Sequence, residues 1–208
     1  MESVLALLLN LIAPVMSALK RAWLHFKPKL GSQKLPRDVL DHVHPYVTRD
    51  LVQAKLGNAK YVNGKFESYP FSDAALQLLY SDDGAVETVA IVAFKVSKFR
   101  FSPLPIAPLD YKLGKMSFGD VWDEGTHPKK DYSSKHWSLH VDQYSGNPGK
   151  YWNWRFGVYS GGGAHCTEFR YDYKLDKFRC DPKSILINWV EVSSSESEFT
   201  LAEFSTFT

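Results

Sequence analysis

His136-Trp-Ser-Leu-His-Val-Asp-Gln-Tyr144, then Ser145-Gly-Asn-Pro-Gly149, then Tyr151-Trp-Asn-Trp-Arg-Phe-Gly-Val-Tyr159 is the stretch on which the fold turns. Trp137, Leu139 and Val141 occupy alternate positions of the first run, and Trp152, Trp154, Phe156 and Val158 do so in the second. A period of two is that of a pleated strand with one apolar face, and the Gly- and Pro-containing segment between the runs supplies a turn. An antiparallel hairpin is therefore predicted over 136–159. The same period disposes of a tempting metal motif. On a helix His136 and His140 would share a face; on a strand they point the same way but stand ~13 Å apart at ~3.3 Å per residue. Only His140 and Asp142 remain as neighbours, and two ligands do not complete a site, so no metal is expected.

Working toward the N-terminus, Ala74–Tyr80 and Ala85–Phe94 read as a second hairpin around Ser81-Asp-Asp-Gly84, and Tyr61–Phe66 contains an Asn63-Gly64 turn. Before them the period is helical. Val39, Leu40 and Val43 form a short stripe ended by Pro45, and Thr48 can cap a helix carrying Leu51, Val52 and Leu56 that stops at Gly57. The proline-rich run 101–110 crosses between two halves. Beyond it Ser117, with Asp120 three residues on, signals another helix start. Strands are predicted over 165–173 and 184–192, around Lys174-Leu-Asp-Lys177, and 193–208 reads as a polar tail.

The expected fold class is α+β, with two short helices packed on a mainly antiparallel β-sheet. The body spans 36–192, with halves 36–100 and 111–192. Leu56-Gly57 and Leu113-Gly114 each precede an aromatic residue, a strand, a turn and a strand. They mark either a degenerate tandem helix–hairpin repeat or the coincidence of a common dipeptide.

Residues 1–26 are of another kind. From Val4 to Leu19 there is no charge, and Lys20-Arg21 close the run. Sixteen helical residues span ~24 Å against a ~30 Å hydrocarbon core, a gap that Trp23 and its neighbours help to close while Lys20 and Arg21 reach to the interface. Trp23, Lys27 and Lys29 suit the headgroup zone. This predicts a membrane-type helix over 1–26 with a basic linker at 27–35; the competing reading is a helix that packs on the protein's own body, for which Pro14 speaks. Basic residues after the run place the body on the cytoplasmic side. Of the chain's net charge of +2, the first 37 residues hold six basic groups against one acidic, which leaves a mildly acidic body. Nucleic acid is thus not an expected partner.

Val52-Gln-Ala-Lys-Leu-Gly-Asn-Ala, Tyr69-Pro-Phe-Ser-Asp and Leu76–Val89 with its Asp-Asp-Gly turn together resemble the helix, Leu-Gly and amphipathic hairpin pattern of the small-lipoprotein and β-lactamase-inhibitor-like superfamily. Leu113-Gly-Lys-Met-Ser-Phe with the apolar leader is similar to membrane-anchored proteobacterial proteins of this design. The resemblance implies a non-enzymatic fold whose concave sheet face binds another protein. No residue here maps to an inhibitor contact.

The candidate sites follow from alternation. If Trp152, Trp154 and Phe156 face a core, then Tyr144, Tyr151, Asn153, Arg155 and Tyr159 share the other face, and aromatics mixed with Arg are the chemistry of protein-binding hot spots or of a carbohydrate platform. His165 and Cys166, being adjacent on a strand, point apart and make a poor nucleophile–base pair. Cys166 and Cys180 could close a disulfide only in an oxidising compartment, which would put the body in the periplasm or outside the cell. Ser160-Gly-Gly-Gly163 precedes no helix and reads as a hairpin loop. The leading expectation is a membrane-anchored, non-catalytic protein-binding module that uses lipid through residues 4–26 and needs no cofactor. A small hydrolase using His136, His140, Asp142 or His165 is the alternative from another class, and a carbohydrate-binding module the third.

Overall fold

The structure is a computed structural model that describes residues 30–94, 113, 115–122, 128–132, 137–147, 150–160, 171–172, 177–178 and 181–194. The leader, with Lys20, Arg21, Trp23, Lys27 and Lys29, lies outside the described residues, as do His136, His165, Cys166 and Cys180. No helix among the described residues is long and apolar enough to cross a membrane.

The two predicted helices are present as α1, Val39–His42, and α2, Arg49–Leu56. Gly57 ends α2 at φ 80°, with its N–H donating to the Gln53 carbonyl at 2.8 Å, a backbone angle that a side chain would oppose. Thr48 stands at the N-cap without a side-chain bond and pairs instead with Ala85 as a β-bridge. Four strands follow: β1 Tyr61–Asn63, β2 Phe66–Pro70, β3 Ala74–Tyr80 and β4 Val86–Ala93. After α3, Phe118–Val121, come β5 Lys129–Tyr132, β6 Trp137–Asn147 and β7 Lys150–Ser160. Asp120 caps α3 as the sequence suggests, accepting from both the Ser117 N–H at 2.7 Å and its hydroxyl at 2.9 Å.

The sheet has eight strands in the order β1-β2-β3-β4-β10-β7-β6-β5, where β10 is Trp189–Ser193. Every neighbouring pair is antiparallel. The molecule is mainly β with some helix. This topology corrects several sequence expectations. The strand expected over 184–192 is shorter: residues 182–184 form a 3-10 turn, and the strand starts at Trp189. Of the strand expected over 165–173, the described residues are Tyr171–Asp172, which form β8 and pair with β9, Lys177–Phe178. The β6–β7 pairing continues to Asn147↔Lys150, so Ser145–Asn147 belongs to the ladder and not to a five-residue turn. Ser193, where a polar tail was expected to begin, closes β10 with its hydroxyl 2.9 Å from that of Thr88, and the Ser194 N–H donates to the Glu87 carbonyl at 3.0 Å.

Alternation then sorts the side chains. One face of the sheet carries Leu76, Leu78, Val89, Ile91, Val190, Val192, Phe156, Trp154 and Leu139 and is covered by Val39, Leu40, Val43, Val52 and Phe118 of the helices and helix-flanking turns. Each such side chain removed from water stabilises by ~1.5–3 kcal/mol. Trp152, Trp154 and Phe156 stack in sequence along β7, at 6.4 and 5.8 Å between centroids. Their cross-strand partners on β6 are Ser145, Gln143 and Val141; Trp137 pairs with Ser160 at the far end of the hairpin. The second face holds a smaller apolar cluster, Ala75, Ala90, Val92, Tyr159 and Trp189, that includes no helical residue, together with the buried polar residues Gln77, Thr88, Glu191 and Ser193.

Candidate functional site

Register brings the chemistry of the second face into rungs. Asp142 on β6 stands opposite Arg155 on β7, and Arg155 stands opposite Glu191 on β10. The guanidinium therefore lies between two carboxyl groups: its Nε donates to Asp142 Oδ1 at 3.2 Å and its Nη1 to Glu191 Oε1 at 3.0 Å. From β5 the Lys129 ammonium reaches Asp142 Oδ2 at 2.6 Å, and His140 Nε2 lies 3.8 Å from Oδ1.

One rung away, His140, Gly157 and Trp189 are in register. A Cβ at Gly157 would collide with the Leu139 carbonyl oxygen and the His140 side chain. Its absence lets the imidazole from β6 and the indole from β10 meet across β7, edge to face at 5.1 Å. On the opposite side of the ion row, Tyr144 faces Asn153, and Tyr144 and Tyr151 stack at 5.2 Å with an interplanar angle of 24°. These two rings are 61% and 41% exposed.

The two carboxyl groups are driven apart in acidity. Glu191 is 1% exposed. Burial pushes it up to about 8 against the pull of Arg155, with the negative charge of Asp142 adding to the rise. Burial also raises Asp142, but the Lys129 hydrogen bond and the charges of His140, Arg155 and Lys129 outweigh it and hold that carboxyl below its ordinary value. Glu191 Oε2 and the Trp189 indole N–H are buried and have no hydrogen-bond partner among the described residues.

Of the residues picked from sequence, Tyr144, Tyr151, Asn153 and Arg155 do share one face and lie together. Tyr159 shares the face but is fully buried in the apolar cluster at the other end of β7, eight residues and ~26 Å from Tyr151 at the rise of a strand. His140 and Asp142 are two residues apart on β6 and on one face. Among the described residues no group of three or more His, Cys, Asp or Glu side chains converges to hold a metal ion. No protein family, curated protein or solved structure matches this chain.

Sequence reasoning missed Glu191 altogether. The signal is present in Ile185-Leu-Ile-Asn-Trp-Val-Glu-Val192, where a single acid stands in a run that is apolar but for Asn188; such a residue is buried if the strand is central. It also missed Glu67. That carboxyl, on the helix-covered face, accepts from the Tyr69 hydroxyl at 2.7 Å and the Tyr80 hydroxyl at 3.1 Å, and Arg49 Nε lies 3.2 Å from it. The Arg49 guanidinium also covers the Tyr80 ring at 4.3 Å.

Proposed function

We propose that this chain is a membrane-anchored, non-catalytic protein-binding module whose contact surface is the exposed end of the β6–β7 hairpin. The stacked Tyr144–Tyr151 pair carries the reading. Two large aromatic rings held together in water, beside Asn153 and a clamped Arg155, present rigid amphipathic area at low entropic cost, as binding hot spots do. Each ring hides one face against the other, which suits a protein surface better than a flat sugar platform. Two of the groups that a hydrolase would use have other contacts: Asp142 is paired with Lys129 and Arg155, and the His140 ring packs on Trp189.

In this reading residues 4–26 form the apolar helix that holds the module to lipid, with the body on the cytoplasmic side and Cys166 and Cys180 reduced. The likeness to the small-lipoprotein and β-lactamase-inhibitor-like superfamily supports a binding role, and the two halves are its degenerate helix–hairpin repeats. A photo-crosslinking residue placed at 144 or 151 in the membrane-bound full chain is expected to yield a discrete protein adduct that the same probe at exposed Leu51 does not. Absence of such an adduct overturns the proposal, and glycan binding abolished by Tyr151→Ala replaces it with the carbohydrate reading.

A further inference from the structure

The Asp142–Arg155–Glu191 row gives one guanidinium to two carboxyl groups. Asp142 has a second cation in Lys129, at 2.6 Å, and His140 beside it at 3.8 Å. Glu191 has no second cation among the described residues. From β4 the facing residue is Ala90, and beyond it on β3 Gln77; its same-face neighbours on β10 are Trp189 and Ser193. None of these carries a charge. Asp142 lies at the surface and already has Lys129, whereas Glu191 is buried with Arg155 as its one cation among the described residues, so a charge on Glu191 draws Arg155 away from Asp142.

We infer that this row is a proton-operated switch: while Glu191 holds a proton Arg155 is anchored by Asp142, and when the proton leaves, Arg155 shifts its hydrogen bonds onto Glu191 and leaves Asp142 to Lys129 and His140. The reaction is a simple ionisation: the Glu191 carboxyl O–H bond breaks, the proton goes to solvent, the electron pair stays on the carboxylate, and the other changes are hydrogen bonds. Burial, which pushes Glu191 up to about 8, places the transition just on the alkaline side of neutrality. Asn153, two residues before Arg155 on the same face of β7, stands opposite Tyr144, so the switch is expected to alter the surface assigned to binding. That last consequence rests on the proposed function; the switch does not.

The test is a pH titration of the full chain in detergent micelles, read by carboxyl-carbon and arginine side-chain NMR without any partner present. One glutamate carboxyl is expected to titrate near pH 8 and to vanish from the spectrum of Glu191→Gln. The Arg155 Nε resonance, assigned by its loss in Arg155→Lys, is expected to move with the same midpoint. If Glu191→Gln does not fold, Asp142→Asn serves: loss of the negative neighbour lowers the Glu191 midpoint by about one pH unit, and the Arg155 signal no longer moves. A Glu191 midpoint below about pH 6, or an Arg155 resonance that stays still through the Glu191 transition, overturns the switch whatever the crosslinking experiment gives.

Discussion

Glu67 on β2 and Glu191 on β10 are both buried glutamates in range of one arginine, and their surroundings differ most in the supply of donors. Glu67 accepts from two phenolic hydroxyls and has Arg49 as an ion-pair partner. The phenols show the other side of that exchange: burial, and next the carboxylate of Glu67, push Tyr69 and Tyr80 well above the ordinary tyrosine range. Among the described residues Glu191 receives only Arg155, which it shares with Asp142. A buried carboxylate needs several hydrogen bonds to remain charged, and one that lacks them holds a proton instead. The comparison teaches that a paired arginine is not by itself enough.

The largest effect should come from removing the arginine at the well-supplied site. Arg49→Met leaves Glu67 buried with two neutral donors and no cation, and is expected to cost about 3–5 kcal/mol in urea unfolding at pH 6. Arg155→Met at the same pH should cost about half that or less, because Glu191 keeps its proton there; equal losses would break the comparison.

Next in size is the pH dependence of Glu191→Gln. The Glu191 value is raised from the ordinary 4.5 to about 8, so the folded state keeps a proton that the unfolded chain gives up. Its contribution is fully present below about pH 4.5 and is lost as the pH rises through about 8, at up to about 1.4 kcal/mol per pH unit. The Gln variant should therefore gain stability over the native chain between pH 6 and 9, as measured by thermal unfolding across that range. A native profile that runs parallel to the variant's would remove Glu191 as the proton holder. The smallest effect belongs to the rim: Tyr144→Ala and Tyr151→Ala should each shift stability by about 0.5 kcal/mol or less, a calorimetric control that keeps any loss of binding from being mistaken for unfolding.

Local chemistry was legible in the sequence. Alternation marked β3, β4, β6 and β7, and Gly57 and the Ser117–Asp120 pair marked helix ends. Tyr144, Tyr151, Asn153, Arg155 and Asp142 followed from parity alone, since the period of a strand fixes which residues share a face. Parity does not say how deep a face lies, and this is why Tyr159 was grouped with an exposed surface when it is buried against Trp189 and Val92. Nor does any local pattern state which distant strand a segment will pair with. Trp189–Ser193 reads as a strand on its own, but its place between β4 and β7 is a property of the assembled sheet. The burial of Glu191, and with it the acidity of the ion row, comes from that placement.

The position of β10 has a consequence for how the protein is made. The first four strands form one meander and β5, β6 and β7 another, and they are joined in the sheet only through a strand that registers Trp189 with Val92 on one side and with Gly157 on the other. As synthesis proceeds from the N-terminus, both meanders can exist before their shared neighbour does, each offering a bare hydrogen-bonding edge of mostly apolar residues. Such edges invite strands from other chains. The interval before residue 193 leaves the ribosome is then the time of greatest aggregation hazard, and a chaperone shielding β4 or β7 would act in that window.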